Sequence, residues 1–424
     1  MWSRLWVFAV IALAPCAHAD QHFISAEASV DRVLDLADER LSVMPAVAAY
    51  KWQNHTPIAD PERERVVAAR AGEVAGTMGL APQGVQAFFE AQILAAREVQ
   101  AALHERWRTG GFSFPTPIPN LAGEIRPHLD RLTVDLLQAV NLAASELQRP
   151  DFLAVYAPRA AKRLKTDGWT AASRQDVVTA LSSIRRQPNA LSMPALPRIT
   201  AAGVLRIGLT GDYAPFSIER NGSLAGADVD LGQALATHLH VAPVFVRTRW
   251  PTLLDDLRAD RFDVALGGIS VTPARAAVAA FSIPYTSGGK TIVSRCSDTD
   301  RYRRLQGVDR EGVRVIVNPG GTNEQYVREN VHHARIIVFA DNRAIFDEIR
   351  AGRADVMITD DVEAELQTRA HLDLCRAMRG TLTHADKAVL MPRDDALVAA
   401  VNAWLEQSIK AGEPARLIEQ HLAP

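Results

Sequence analysis

Cysteine is scarce in this sequence, with three residues among 424, and the net charge is small. Two cysteines, Cys296 and Cys375, supply too few ligands for a zinc site. The formal net charge of −2 argues against a nucleic-acid-binding protein, which usually carries a clear basic excess. Beyond the first 19 residues, no apolar stretch is long enough to span a membrane.

The first 19 residues have the pattern of a secretory signal peptide. A short positive region, 1–4, precedes an apolar run, and Ala17-His-Ala19 supplies the small residues of a cleavage site. A lipid anchor on Cys16 is the alternative, and Pro15 directly before it fits such an anchor poorly. We expect cleavage after Ala19 and a soluble protein exported to the periplasm. Of the two remaining cysteines, the residues alone allow either one disulfide or two buried thiols.

A chain of this length is expected to contain two or three domains. In residues 20–192, apolar residues recur three and four positions apart, which predicts an all-α domain of five or six helices without strands. Prolines interrupt this pattern around 193–200, which we interpret as a linker. Residues 201–424 alternate between strand and helix patterns, which predicts a sheet covered by helices.

The α/β half is predicted to form two lobes. Lobe 1 comprises about 201–291 and 388–424, and lobe 2 comprises about 292–387. Because the chain would cross between the lobes twice, we expect a clamshell that closes on a small ligand.

One turn in lobe 2 is a candidate anion site. The β-branched run 313–317 leads into Asn318-Pro-Gly-Gly-Thr-Asn-Glu324, which predicts a strand, a tight turn and a helix. Backbone N–H groups at the helix N-terminus, with Thr322 and Asn323, favour an anion such as a carboxylate. The alternative is an ordinary connection between a strand and a helix.

The helical half contains candidate substrate-binding cations. Arg40 and Lys51 are eleven residues apart, or about three turns, which predicts that they share one face of a helix. Arg63 and Arg126 are further candidates. The alternative is that these side chains are solvated or cover apolar surface with their stems.

Several motifs of this half occur together: Glu39-Arg40, Ala48-Ala-Tyr-Lys-Trp52, Pro57-Ile-Ala-Asp60 with Arg63, Phe88-Phe-x-x-Gln-Ile93 and Ile125-Arg126. Over about 28–140, and more loosely to 190, they resemble the secreted, all-helical chorismate mutases of the gamma type. The resemblance implies that three arginines hold the two carboxylates of chorismate: Arg40, Arg63 and Arg126. It implies that Lys51 contacts the ether oxygen together with Gln100.

These roles suit a Claisen rearrangement. The reaction needs a dianion held in a compact conformation and positive charge beside the breaking C–O bond, and it needs no nucleophile or cofactor. Some relatives have glutamate where this chain has Gln100. Since glutamine donates a hydrogen bond at any pH, we expect mutase activity to depend less on pH.

The α/β half contains a second set of motifs: Thr210-Gly-Asp-Tyr213, Trp250-Pro, Gly268-Ile-Ser-Val-Thr-Pro-Ala-Arg275, Asn318-Pro-Gly-Gly-Thr-Asn-Glu324, Thr359-Asp-x-x-Glu363-Ala and Ala385-x-Lys387-Ala. Over residues 201–424 they resemble periplasmic solute-binding proteins for polar amino acids. They resemble the cyclohexadienyl dehydratases, exported enzymes on the same scaffold, more closely. The second resemblance implies a disulfide between Cys296 and Cys375.

The same resemblance implies roles in the cleft. Arg275 would grip the ligand carboxylate, and Tyr213 and Trp250 would wall the ring. Glu363 is the candidate general acid, because a hydroxyl leaves poorly unless protonated and burial can keep a carboxyl protonated. A solvent-facing helix residue is the alternative for Glu363. The other predicted substrate contacts are Ser270, Thr272, Gly321, Thr322, Asn323 and Lys387.

We therefore predict a multidomain protein, with an all-α chorismate mutase domain followed by a two-lobe α/β domain of the periplasmic-binding-protein type. The two activities would convert chorismate to prephenate and prephenate to phenylpyruvate. The resemblance also implies a homo-oligomer and a side activity that converts arogenate to phenylalanine, and it implies no metal or redox cofactor. One alternative is a mutase fused to a non-catalytic amino-acid receptor, and another is a helical half that serves only in dimerisation.

Overall fold

The first half of the chain is a bundle of helices, in a computed structural model that describes residues 23–110, 117–187 and 193–422. The predicted signal peptide, 1–19, lies outside these ranges. The described part of the bundle has seven α-helices, where five or six were expected: α1 Ala26–Ser42, α2 Met44–Gln53, α3 Pro61–Thr77, α4 Pro82–Arg108, α5 Arg126–Leu147, α6 Phe152–Arg163 and α7 Ala171–Ser183. Helix α1 packs along α5, and α4 packs along both α3 and α7.

The break between α1 and α2 corrects one prediction. Arg40 and Lys51 do not share a helix, because α1 ends at Ser42 and α2 begins at Met44. Pro45, in the first turn of α2, has no backbone N–H to donate, and its ring would clash with the carbonyl four residues earlier. The two cations therefore lie on consecutive helices.

The predicted linker contains a helix. The segment 193–200 was expected to be irregular, but α8, Ala195–Ala202, occupies most of it and ends at Gly203, whose φ is 66°. Helix α8 contacts α3 and α5 of the bundle. At its start, the backbone N–H of Ala195 donates to Asp394 Oδ2 over 2.6 Å. The connection between the two halves is thus packed against both.

The second half of the chain alternates between strands and helices. Its strands, with one from the N-terminus, are β1 Phe23–Ile24, β2 Val204–Leu209, β3 Asp212–Tyr213, β4 Ser217–Arg220, β5 Ser223–Ala225, β6 Ala242–Arg247, β7 Val264–Ala265, β8 Ala280–Phe281, β9 Thr286–Gly288, β10 Lys290–Arg295, β11 Arg314–Val317, β12 Arg335–Val338, β13 Val356–Asp360, β14 Leu374–Arg376, β15 Ala385–Lys387 and β16 Leu390–Met391. Its helices are α9 Ala227–His238, α10 Leu253–Arg258, α11 Pro273–Ala276, α12 Leu305–Val308, α13 Thr322–Asn330, α14 Ile345–Arg350, α15 Asp361–Ala370, α16 Asp395–Lys410 and α17 Glu413–Leu422.

Two mixed sheets define the two lobes. The sheet of lobe 1 has the order β1-β6-β2-β7-β16-β8, and that of lobe 2 has the order β12-β11-β13-β10-β14. Strands β9 and β15 pair antiparallel where the chain crosses between the sheets, which is the predicted double crossing. Strand β1 was not expected: it pairs parallel with β6, so residues that precede the helical bundle extend the sheet of lobe 1.

Buried charges join the two halves. Arg206 of β2 donates to Asp260 Oδ1 and Asp263 Oδ1, each over 2.7 Å. Arg186, which follows the last helix of the bundle, pairs with the same Asp260, with Nε 3.0 Å from Oδ2. Arg198 of α8 completes the cluster at 3.3 Å from Asp263. The cluster therefore links the bundle, α8 and lobe 1.

Cys296 and Cys375 form a disulfide bond, with Cα atoms 4.8 Å apart, which is the pairing that the resemblance implied. The bond joins the end of β10 to β14 within lobe 2. Among the described residues, no helix is both long and apolar enough to cross a membrane. That same part of the chain contains no group of three or more histidine, cysteine, aspartate or glutamate side chains placed to hold a metal ion.

Candidate active sites

The helical bundle contains a cavity of about 460 Å³, which we call the helical cavity. Helices α1, α2, α3, α4 and α5 line it, together with the loop between α2 and α3. The five residues that the sequence assigned to a mutase site all line this cavity: Arg40, Lys51, Arg63, Gln100 and Arg126. Although Arg40 and Lys51 are on different helices, the fold brings them to the same cavity.

Arg40 is held at the wall of the helical cavity by neutral partners. Its Nη1 donates to the carbonyl of Leu129 over 3.2 Å and to Thr133 Oγ1 over 2.7 Å. The guanidinium carbon lies 5.3 Å from the centre of the Phe89 ring, within the range of a cation–π contact. Burial lowers the pKa of Arg40 to about 10, with Asp130 opposing the shift. Its positive charge is not matched by a hydrogen-bonded carboxylate.

Lys51 reaches across to the loop between α2 and α3. Its Nζ donates to the carbonyl of Ile58 over 2.6 Å. Burial lowers the pKa of Lys51, and Glu64 and Asp60 oppose this shift, whereas Arg97 lowers the pKa further. The ammonium group is therefore partly desolvated, and its hydrogen-bond partner among the described residues is a neutral carbonyl.

Gln100 is buried at the wall of the helical cavity, which Lys51 also lines. Its Nε2 donates to the carbonyl of Ala96 over 3.0 Å and lies 3.6 Å from the sulfur of Met44. Its Oε1 has no hydrogen-bond partner within the described structure. The amide nitrogen has two N–H groups, so one can donate to Ala96 while the other donates to a ligand acceptor.

Sequence reasoning missed Arg97 and Glu64, which also line the helical cavity. Arg97 lies three residues before Gln100 on α4, so helical spacing could have placed both on one face. Among the residues that the structure describes, five cations and three carboxylates line the cavity, which leaves an excess of two positive charges: Arg40, Lys51, Arg63, Arg97 and Arg126 against Asp60, Glu64 and Asp130. That excess matches a dicarboxylate ligand.

The second site lies between the two lobes, in what we call the central cleft. Residues from both lobes line its small inner cavity of about 20 Å³, including most of the predicted contacts: Tyr213, Trp250, Ser270, Arg275, Gly321, Thr322 and Asn323. Thr272 instead lines an outer groove of about 720 Å³, and its hydroxyl accepts from the backbone N–H of Arg275 over 3.3 Å. Thr272 thus caps the short helix that carries Arg275.

Arg275 is buried against the aromatic wall of the central cleft. Its Nη1 donates to the carbonyl of Ser270 over 2.9 Å, and its guanidinium carbon lies 5.9 Å from the centre of a Trp250 ring. Burial lowers the pKa of Arg275 to about 10, and Asp360 opposes the shift. The remaining donors of this guanidinium are suited to a carboxylate.

The predicted turn forms as expected, with a strand, two glycines and a helix that begins at Thr322. Its side chains face a lysine that the sequence did not single out. Lys290 Nζ donates to Thr322 Oγ1 over 3.0 Å and to Asn323 Oδ1 over 2.6 Å. Lys290 lies at the start of β10, where the chain has just crossed between lobes, so only the folded topology places it here.

Asp360 is the charged centre of the cleft. It accepts hydrogen bonds from Lys290 at 2.9 Å, from Lys387 at 2.8 Å and from the hydroxyl of Tyr213 at 2.5 Å. Burial opposes ionisation, but the two lysines hold the pKa of Asp360 well below its usual range. Lys387 also donates to the carbonyl of Gly268 over 2.9 Å. Three cations, counting Arg275, therefore surround one ionised carboxylate.

Glu363 is a buried carboxyl, with 3% of its surface exposed. It lies one turn after Asp360 and accepts a hydrogen bond from the Thr359 hydroxyl. Burial raises the pKa of Glu363 to about 8, and Asp360 and Asp212 contribute in the same direction. Glu363 lines a groove of about 970 Å³ between the lobes and is not part of the wall of the inner cavity. The carboxyl is thus protonated at neutral pH.

The central cleft is closed. Asn342 of lobe 2 donates to the carbonyl of Asp212 in lobe 1 over 2.9 Å, and Tyr213 bonds to Asp360 across the same gap. Gly320 packs so tightly on Pro251 that an added Cβ would lie 2.6 Å from its Cγ. Ligand pockets usually measure about 300–1,000 Å³, so the lobes must separate to admit a ring-sized ligand.

Two family models match the chain. Residues 205–424 match the bacterial extracellular solute-binding proteins, family 3, and residues 30–101 match chorismate mutase type II. The chain is 47% identical over 219 residues to the cyclohexadienyl dehydratase of Pseudomonas aeruginosa, covering 51% of this chain and 82% of that protein. It is 28% identical over 234 residues to the L-cystine-binding protein TcyJ of Escherichia coli, covering 53% of this chain and 85% of that protein.

A solved structure agrees with this assignment. The ancestral amino acid-binding protein AncCDT-1, described as a precursor of cyclohexadienyl dehydratase, is 34% identical and superposes with a TM-score of 0.51. The match covers 54% of this chain and 99% of that one. The predicted fold class and the fusion of a mutase domain to a dehydratase-type clamshell are confirmed. The chain therefore belongs to family 3 of the bacterial extracellular solute-binding proteins and carries a type II chorismate mutase domain before the clamshell.

Proposed function

We propose that this protein is a bifunctional enzyme that converts chorismate to prephenate and then prephenate to phenylpyruvate. The observation that carries the proposal is Glu363, a carboxyl buried beside the cleft of a solute-binding fold, where burial raises its pKa to about 8. A protein that only binds a solute needs no acid there. The helical cavity of the same chain has an excess of positive charge, which suits it to hold chorismate, the precursor of prephenate.

In the helical cavity, the chemistry is positioning and electrostatics. The two carboxylates of chorismate are held by Arg40, Arg63 and Arg126. The two carbon atoms that form the new bond are thereby kept close together. Lys51 lies at the wall with its ammonium desolvated, where it stabilises the negative charge that develops on the ether oxygen. Gln100 donates to the same oxygen from its amide.

In the central cleft, the reaction needs an acid. Arg275 holds the side-chain carboxylate of prephenate, and Glu363 gives its proton to the ring hydroxyl as the C–O bond breaks. The ring carboxylate leaves as CO₂, and the electrons of its C–C bond complete the aromatic ring. The products are phenylpyruvate, CO₂ and water, and Glu363 regains a proton from solvent. The positive excess around Asp360 favours this dianion, and arogenate, which has one ammonium group, is the expected secondary substrate.

A binding-only clamshell is the second candidate. The likeness to an L-cystine-binding protein favours it, since that protein has the same scaffold. Glu363 is the feature that separates the two candidates. If the clamshell only binds a ligand, substitution of Glu363 changes the affinity for that ligand. The wild-type protein then has no prephenate turnover that the substitution could reduce.

The location and assembly of the protein follow from sequence features. We propose that it acts in the periplasm, which agrees with membership of an extracellular solute-binding family and with the signal pattern in residues 1–19. We also propose a homo-oligomer, as the resemblance of both halves to known families implies. Its ligands are small molecules.

The test is to supply the purified chain, beginning at Asp20, with chorismate and to follow the products over time. We expect phenylpyruvate to form without any other enzyme. Accumulation of prephenate would support the binding-only candidate. If chorismate persists while added prephenate is consumed, the helical cavity is not a mutase site.

A further inference from the structure

Arg97 and Glu64 form an ion pair at the wall of the helical cavity. Arg97 Nε donates to Glu64 Oε1 over 3.0 Å, and Nη2 donates to Oε2, so the contact is bidentate. The side chains are 34% and 19% exposed, respectively, which distinguishes the pair from an ordinary surface ion pair. The pair joins α4 to the first turn of α3.

Glu64 also anchors the loop between α2 and α3. Its Oε1 accepts from the backbone N–H of Asp60 over 3.1 Å, while Asp60 Oδ1 accepts from the N–H of Arg63 over 3.2 Å. These reciprocal contacts fix the end of the loop to the start of α3. Two residues earlier in the loop, the carbonyl of Ile58 accepts from Lys51 Nζ over 2.6 Å. A continuous set of contacts therefore runs from Arg97 to the ammonium group of Lys51.

The same two residues act on Lys51 through their charges. Burial lowers the pKa of Lys51, Glu64 and Asp60 oppose the shift, and Arg97 and Arg126 add to it. Because burial lowers the pKa of Lys51, the negative charge of Glu64 helps to keep Lys51 protonated. The other charged residues that line the cavity are Arg40, Arg63 and Asp130.

We propose that Arg97 and Glu64 are positioning residues for Lys51: their ion pair holds the loop whose Ile58 carbonyl orients the ammonium, and Glu64 keeps a negative charge beside it. This inference rests on the proposed mutase function, in which Lys51 faces the breaking C–O bond. Neither residue is assigned a contact with substrate.

The test compares Glu64→Gln and Arg97→Gln with a matched control, Glu62→Gln. Glu62 lies in the same turn of α3 and pairs with Arg65, but both side chains are largely exposed and neither lines the cavity. We expect kcat/KM for chorismate to fall by about tenfold in each pair variant, because small displacements of a catalytic group can cost up to ~10²-fold. The control should keep the wild-type rate, and prephenate turnover should be unchanged in all three.

The pH profile separates positioning from a general loss of packing. Mutase activity needs protonated Lys51, so it is lost as pH rises through the pKa of Lys51. Glu64→Gln removes a negative charge and should move this alkaline limb to lower pH, whereas Arg97→Gln removes a positive charge and should move it to higher pH. Shifts in the same direction, or a Glu64→Gln profile equal to that of Glu62→Gln, would overturn the inference.

A readout independent of activity keeps the two proposals distinguishable. NMR titration of isotopically labelled lysine reports the pKa of Lys51 directly in the full chain, with Lys51→Arg used to assign the signal. Opposite shifts in the two variants support the inference even if the wild-type chain has no mutase activity. Unchanged titration in both variants contradicts it even if chorismate is consumed.

Discussion

The helical cavity and the central cleft use their cations differently. In the helical cavity, Arg40 and Lys51 bond to neutral groups, and an excess of two positive charges faces an open space of about 460 Å³. In the central cleft, Lys290 and Lys387 both bond to Asp360, and the closed inner cavity measures about 20 Å³. The first site is formed within one rigid bundle, whereas the second must open and close around its ligand.

This difference affects what each site can do. A cavity with unmatched cations is ready to hold a dianion, and a reaction that needs only positioning can proceed there. In the second half of the chain, burial raises the pKa of Glu363, which supplies the acid that dehydration needs. The following predictions test this comparison.

The largest effect is expected for Glu363→Gln. Loss of a general acid typically lowers a rate by ~10²–10⁴-fold, so kcat for prephenate should fall by that factor while the variant still binds prephenate. Stopped-assay kinetics and calorimetric binding measure the two quantities. A variant with wild-type turnover would remove Glu363 from the mechanism, and the mutase rate of the same sample checks that the chain is folded.

The next effect is expected for Lys51→Ala. Removal of one electrostatic contact to a transition state costs ~10²–10³-fold in rate, and here the loss should be confined to the chorismate reaction. Prephenate consumption should be unaffected, because Lys51 lies in the bundle and not in the cleft. If both activities fell together, the two sites would not be independent.

Gly320→Ala should impair closure of the cleft. The new Cβ would lie 2.6 Å from Pro251 Cγ and 2.8 Å from its backbone nitrogen across the gap between the lobes. We expect kcat/KM for prephenate to fall by roughly tenfold, since misplacement of about 1 Å can cost up to ~10²-fold, and the mutase rate should stay constant.

The matched control for this variant is Gly352→Ala. Gly320 and Gly352 have similar φ values, 75° and 71°, so alanine is strained at both. An added Cβ at Gly352 meets no atom within 4 Å, so only the variant at Gly320 obstructs the lobes. Equal losses in the two variants would mean that backbone strain, and not blocked closure, is responsible.

The smallest effect is a difference in pH dependence between the two reactions. Dehydration needs protonated Glu363, so its rate should be halved near pH 8 and fall further as pH rises. The folded pKa of about 8 lies above the ordinary value of 4.5, so the protonated group's contribution to stability is complete below about pH 4.5 and is lost as pH rises towards 8.

Two measurements check this prediction. The rate of prephenate turnover, measured between pH 6 and 9, locates the fall in rate at alkaline pH. This fall should be absent from the residual activity of Glu363→Gln. Thermal unfolding should show that Glu363→Gln gains stability over the wild type as pH rises from 5 to 8. A stability difference that does not change between pH 5 and 8 would mean that Glu363 is ionised in the folded protein at neutral pH.

Much of the fold could be predicted from local patterns. The run 204–209 is strand β2, in agreement with the alternating pattern predicted for residues 201–424, because a buried strand rich in apolar residues is recognisable from its own composition. The turn after β11 was predicted from its two glycines, of which Gly320 has a φ of 75°, a backbone conformation that other residues avoid. The break at Val43 was missed, since apolar spacing continues through it while Pro45 ends the helix.

The sites were predicted less completely. Arg40, Lys51 and Arg275 stand in motifs that resemble known families, and the fold places them at a cavity or a cleft. Lys290 and Arg97 carry no such motif. Their roles depend on partners far away in sequence, Asp360 for Lys290 and Glu64 for Arg97, and local patterns contain no information on those contacts.

The sequence by itself determined the helical and α/β halves, the strand–turn–helix at residues 313–324 and the residue types available for chemistry, because these depend on local spacing and composition. Tertiary structure decided which charges meet, how far each is buried and therefore which groups are protonated. Glu363 is the clearest case: its position on a helix is a local property, but its raised pKa arises from its burial in the folded protein, with Asp360 and Asp212 contributing in the same direction. The same holds for β1, which joins the sheet of lobe 1 only because the folded bundle brings the N-terminus to β6.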